Sequence, residues 1–151
     1  MLKKTITYTD WFGDERTEDF YFNLSKSELS ELQASEEGGL IRFIDKIVKT
    51  VDQRKLIEMF KGLILKSYGE KSDDGRRFIK SKELSEAFSQ TPAYDILFME
   101  LSSDDVAAAD FIKGIIPADL ADKLDEKEAA EKNVVIEAKA QPVIESTENK
   151  E

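Results

Sequence analysis

The sequence predicts an α+β fold, mostly α, in which an N-terminal β-hairpin packs on about six helices and a flexible acidic C-terminal tail follows. Three observations predict it. Residues 1–24 hold two runs of apolar–polar alternation around a cluster of turn residues, the period of a half-buried strand. Residues 25–120 switch to the three-and-four spacing of amphipathic helices, punctuated by capping residues. Beyond residue 120 the aromatics are gone, Phe111 being the last, and acidic side chains predominate. Such a composition buries too little to offset the entropy of ordering. The organisation is therefore one globular domain over 1–120, with the hairpin at 1–24 and helices at 25–120, then a tail at 121–151.

In the hairpin, Leu2, Ile6 and Tyr8 alternate with Lys3, Thr5, Thr7 and Thr9, and Phe20, Phe22 and Leu24 alternate with Asp19, Tyr21 and Asn23. The turn falls in residues 10–15 (DWFGDE). A lone hairpin is marginal in water, so its apolar face must lie on helices. Ser25 with Glu28 three residues on forms a capping box for a short helix carrying Leu29 and Leu32, which Gly38 and Gly39 end. Leu40, Ile44, Ile47 and Val51 stripe the next helix. Asp52 caps a third, apolar around much of its circumference from Leu56 to Leu65 and therefore central. Residues 69–75 read as a polar loop. Ser81 opens a helix with Leu84, Ala87 and Phe88. Thr91 before Pro92 places a cap ahead of a first-turn proline, and Tyr94, Leu97, Phe98 and Leu101 follow. Ser102 or Ser103 starts a further helix through Val106, Phe111 and Ile112, and Pro117 a short turn to Leu120.

Composition narrows the function. The 151 residues carry 22 Lys plus Arg against 32 Asp plus Glu, a formal charge of −10, with no histidine and no cysteine. That removes disulfides, thiolate nucleophiles, Cys/His zinc sites and every mechanism with an imidazole base. An acidic chain lacks the basic face that phosphate backbones require, so no nucleic-acid partner is expected. No apolar run is long enough to span a bilayer or to form a signal peptide, so the expectation is a cytosolic protein without a membrane partner. No serine has a lysine three residues later, and no Gly-rich phosphate loop occurs. Residues 71–76 (KSDDGR) offer two aspartates beside a glycine but no glutamate at the closing position of a calcium loop. No catalytic residue, cofactor or metal is expected. The chain reads as a binding protein, not an enzyme.

Two clusters stand out as candidate partner-binding residues. Trp11 and Phe12 are large aromatics at a hairpin tip; they either fold back on the helices or anchor a partner, as tryptophan does at interface hot spots. Arg76 and Arg77 are the core of the one local basic cluster, either paired with Asp73, Asp74 and Glu83 or open to an acidic partner.

Several stretches carry a family resemblance: residues 5–10 (TITYTD), 16–25 (RTEDFYFNLS), 61–72 (KGLILKSYGEKS), 74–81 (DGRRFIKS), 88–91 (FSQT) and 111–117 (FIKGIIP). Through them residues 1–120 resemble the tail assembly chaperones of long-tailed, siphovirus-type phages and prophages of Gram-positive bacteria. The resemblance implies a non-catalytic protein that binds the tape measure protein, keeps it soluble, and helps recruit the major tail (tube) protein. It also implies work in the cytoplasm of the bacterial host and absence from the mature virion. Coating a long partner requires copies to touch, so self-association is expected. Many such chaperones occur in two lengths through a ribosomal frameshift, with the forms diverging where the tail begins. The alternative reading is an acidic DNA mimic or another phage-encoded interaction protein.

Overall fold

Strand β1 (Leu2–Thr9) turns back into β2 (Glu15–Phe22) in a register that pairs Leu2 with Phe22 and Ile6 with Glu18. In the computed structural model, which describes residues 1–35 and 53–122, the alternation read from the sequence sorts the side chains as expected. Ile6, Tyr8, Phe20 and Phe22 are buried on one face. The other face is a polar lattice, where the Thr5 hydroxyl donates to Asp19 at 2.6 Å and the Thr7 and Thr17 hydroxyls share a bond of 2.9 Å.

The sheet is larger than the sequence suggests. Residues 69–75, read as a polar loop, instead contribute to β3 (Tyr68–Lys71), which pairs with both β2 and β4 (Phe78–Ile79). The order is β1-β2-β3-β4, antiparallel throughout. Four-residue and two-residue strands are too short to show a two-residue period, which is why the pattern did not reveal them. Gly69 makes the pairing possible: a Cβ there would stand 2.8 Å from the Ile79 carbonyl oxygen and the Phe78 ring.

Of the five helices whose bounds are given among the described residues, three start at the expected caps. In α1 (Lys26–Ser35) the capping box is formed, with Ser25 N–H donating to the Glu28 carboxylate at 2.7 Å and Glu28 N–H to Ser25 Oγ at 3.3 Å. Helix α2 (Gln53–Ser67) buries Phe60, Leu63, Ile64 and Ser67 on a single side, so it is less enclosed than its composition suggests. Helix α3 (Lys82–Ser89) is capped by Ser81, and α4 (Pro92–Ser103) by Thr91 with Pro92 in its first turn. Helix α5 (Asp105–Ile115) starts later than expected. Its cap is Asp104, not Ser102 or Ser103, because the Asp104 carboxylate accepts from the N–H groups of both Val106 and Ala107. The hydroxyls of Ser102 and Ser103 bond back to carbonyls in the last turn of α4. Helical residues continue at 118–122. The expected helix over Leu40–Val51, the cap at Asp52 and nearly all of the expected tail lie outside the described residues.

The core is an aromatic cluster where the sheet meets α3, α4 and α5. Phe22 is wholly buried and sits against Tyr68, Phe88 and Phe111, and the Tyr68 and Phe88 rings stack 4.2 Å apart. Burial, reinforced by the Glu70 carboxylate, pushes the Tyr68 hydroxyl up to about 12. The exit from β2 is tied at two points: Asn23 N–H donates to the Ser67 carbonyl and Leu24 N–H to the Ile115 carbonyl. Residues Met1–Pro117 form one compact unit.

Candidate functional site: the hairpin tip

Asp10 organises the β1–β2 turn. Its Oδ1 accepts from the N–H groups of Phe12 and Asp14, and its Oδ2 accepts from Arg16 Nε at 2.7 Å. Its own N–H donates to the Asp14 carbonyl, and Gly13 N–H returns a bond to the Asp10 carbonyl. Gly13 takes a φ of +90°, which only glycine adopts without strain. The Arg16 hydrogen bond, followed by those from Asp14 and Phe12, holds the Asp10 carboxyl below its ordinary value. Each bond pins the backbone between residues 10 and 16, so the turn is a fixed platform.

That platform presents two aromatics outward. Trp11 is 79% exposed and Phe12 91% exposed. Trp11 is nevertheless oriented, because its Nε1–H donates to the Gln90 carbonyl, at the C-cap of α3. Of the two placements the sequence leaves open, the tip touches the helices through one edge of the indole and leaves both rings to solvent. An open groove of about 200 Å³ lies beneath, lined by Tyr8, Asp10, Trp11, Phe12, Arg16, Thr91 and Pro92. Burial, with the Glu18 carboxylate adding to it, raises the Tyr8 hydroxyl above its ordinary value, so Tyr8 is a neutral floor to this groove.

Arg76 and Arg77 lie elsewhere, in the β3–β4 turn. Of the two readings the sequence leaves open, pairing with Asp73, Asp74 and Glu83 is not formed: among the described residues neither guanidinium has an ion-pair partner, and both residues are exposed. Asp74 is committed to the turn instead, accepting from Ser72 Oγ at 2.7 Å and from the Arg76 N–H at 3.0 Å. Those bonds hold its carboxyl below the ordinary value. Because the strands alternate in direction, both turns open toward one end of the sheet, with the β1–β2 tip reaching further by about 13 Å, four residues of strand. The two candidate clusters thus share an end of the sheet, but the arginines do not line the groove.

The sequence also concealed the exposure of several apolar side chains, two of them on α4. Ile96 and Met99 on α4 are 44% and 62% exposed, although both are apolar. The available signal was that α4 is apolar on nearly all sides, which a surface helix with one buried stripe does not need.

No catalytic constellation emerges at the tip, whose polar groups are consumed in holding the turn. Among the described residues no cluster of carboxylates is arranged to hold a metal ion, and no helix is long and apolar enough to cross a membrane. A family model described as "Phage tail assembly chaperone" matches residues 1–151. No curated protein and no solved structure matches the chain.

Proposed function

The chain belongs to the phage tail assembly chaperone family, and from that premise we propose that it binds the tape measure protein, keeps it soluble and helps bring the tail tube protein to it. The observation that carries this reading is the hairpin tip: two aromatics held outward by a turn that the Asp10 carboxylate bonds at three points, over an open groove. Aromatic anchors of this kind dominate binding energy at protein interfaces. The −10 charge keeps a complex with an apolar partner in solution.

The role is non-catalytic and belongs to the assembly stage in the host cytoplasm, with the chaperone leaving before the particle is finished. Phages of the long-tailed, siphovirus type infecting Gram-positive hosts are the setting proposed. Copies associate along the partner, and β1 supports this: among the described residues it is an outer strand of the sheet, paired on one side only, which leaves an edge able to take another strand. Light scattering across a concentration range should show a rising mean mass; a constant monomer mass would remove self-association from the account. The main test is co-expression with the tape measure protein followed by sedimentation. The partner is expected in the supernatant with the chaperone present and in the pellet without it. Pelleting in both cases would overturn the proposal.

A further inference from the structure

We infer that the groove at the tip continues along one face of α4 and is built to seat a basic amphipathic helix; the inference rests on the reading that the tip holds a partner polypeptide. Pro92 lines the groove and begins α4. At 3.6 residues per turn, positions 92, 96 and 99 share one face, so Ile96 and Met99 extend the apolar surface about 10 Å from Pro92 along the helix axis. They lie roughly opposite the buried side of α4, which is made by Ala93, Tyr94, Leu97 and Leu101. An exposed apolar stripe that runs on from an aromatic anchor marks an interaction surface, and methionine adapts to varied partner side chains.

Charge selects the occupant. Between Lys82 and Lys113 the chain has no basic residue, only acidic ones. Helical periodicity sets Asp95 on one side of the Pro92–Ile96–Met99 stripe and Glu100 on the other, both exposed; Glu100 already meets Lys4 Nζ of β1 at 3.4 Å, an exposed pair that leaves Asp95 as the stronger negative margin. Asp104 and Asp105 stand past its far end, and Asp14 and Glu15 flank the aromatic tip, where the one basic lining residue, Arg16, is paired with Asp10 and Glu18. An apolar stripe surrounded by an excess of carboxylates complements a helix whose apolar face is bordered by lysine or arginine, and it repels an acidic helix.

Trp11 is the single tryptophan of the chain, so its emission reports occupancy of the tip directly. The probe is a tryptophan-free peptide of about 18 residues, with leucines at i, i+4 and i+7 and lysines beside them. Titration of the full chain is expected to shift Trp11 emission to the blue and to saturate. Replacing the lysines by glutamate, or scrambling the same composition, should weaken binding at least about tenfold. Ile96→Glu and Met99→Glu should each weaken it about tenfold or more, while Ile57→Glu, at an exposed apolar position on α2, should leave it unchanged. Equal binding of the scrambled or glutamate peptide, or wild-type affinity in Ile96→Glu and Met99→Glu, would overturn the inference. Co-expression separates the two levels. A tape measure protein kept soluble equally by wild type and by the α4 variants removes the α4 groove alone; one that wild type cannot hold removes the underlying reading.

Discussion

The indole N–H of Trp11 donates to the backbone carbonyl of Gln90 across 3.2 Å, joining the β1–β2 tip to the end of α3. The bond fixes the direction of a ring that is still largely in water. Little stability depends on it, since one exposed hydrogen bond contributes about 0.5–1.5 kcal/mol. Trp11→Ala is therefore expected to lower Tm by only a few degrees, about 2–4 °C, while weakening partner binding about tenfold or more. Calorimetry beside a binding titration checks this. A large loss of Tm with unchanged binding would make Trp11 a structural residue.

Two glycines should respond in opposite directions to alanine. At Gly69 a Cβ meets the Ile79 backbone carbonyl at 2.8 Å, and backbone cannot step aside without breaking the β3–β4 pair. Gly69→Ala should destabilise by about 1–3 kcal/mol. Gly62 lies inside α2 with no atom of the described residues within 4 Å of the added carbon, so Gly62→Ala should stabilise by about 0.5–1 kcal/mol. Denaturant midpoints of the two variants measure both effects.

Lys80 ties the end of β4 to the start of α1 by donating to both Glu28 carboxylate oxygens at 2.8 Å and to the Asn23 carbonyl. Burial raises the Glu28 carboxyl, but the bonds from Lys80 and from the Ser25 N–H outweigh it and leave it below the ordinary 4.5. A depressed carboxyl contributes stability that is complete above its unfolded value and is lost as pH falls through the folded one. Lys80→Met should cost about 1 kcal/mol at pH 7, the pair being partly screened by solvent. The difference from wild type should hold down to about pH 5 and shrink below 4.5. Urea denaturation of both proteins across that range gives the measurement, and a difference that grows on acidification would contradict it.

Arg76 and Arg77 support no ion pair among the described residues, so the double change Arg76→Ala, Arg77→Ala should leave stability within about 0.5 kcal/mol of wild type. A loss of binding at that unchanged stability would assign them to a partner with acidic groups. A fall in Tm well beyond that margin would mean that the pair supports the β3–β4 turn.

The elements that could be read in advance were those written in local patterns. Alternation from Leu2 to Leu24 located the hairpin and its inward face, and the side-chain oxygens of Ser25, Ser81 and Thr91 each formed the cap they advertise. What the sequence concealed depends on long-range contact or on length. Strands β3 and β4 exist because β2 offers an edge and Gly69 admits close approach, and neither fact is local. Asp104 competed with two serines for the start of α5 and succeeded because a carboxylate can accept two N–H groups at once. At the candidate site, the aromatics at positions 11 and 12 were conspicuous as a break in alternation. Their outward placement required the Asp10 network, which spacing alone does not disclose. The exposure of Ile96 and Met99 was hidden for the opposite reason, inside a helix apolar enough to pass as core.

If this protein works by holding a tail polypeptide through its hairpin tip, removing the tip aromatics must cost it that partner. The most direct measurement is the soluble fraction of the tape measure protein co-expressed with wild type or with the Trp11→Ala, Phe12→Ala double variant, each chaperone first confirmed folded by its thermal transition. Wild type should keep the partner in the supernatant and the folded double variant should leave most of it in the pellet. Equal solubilisation by both proteins would contradict the claim.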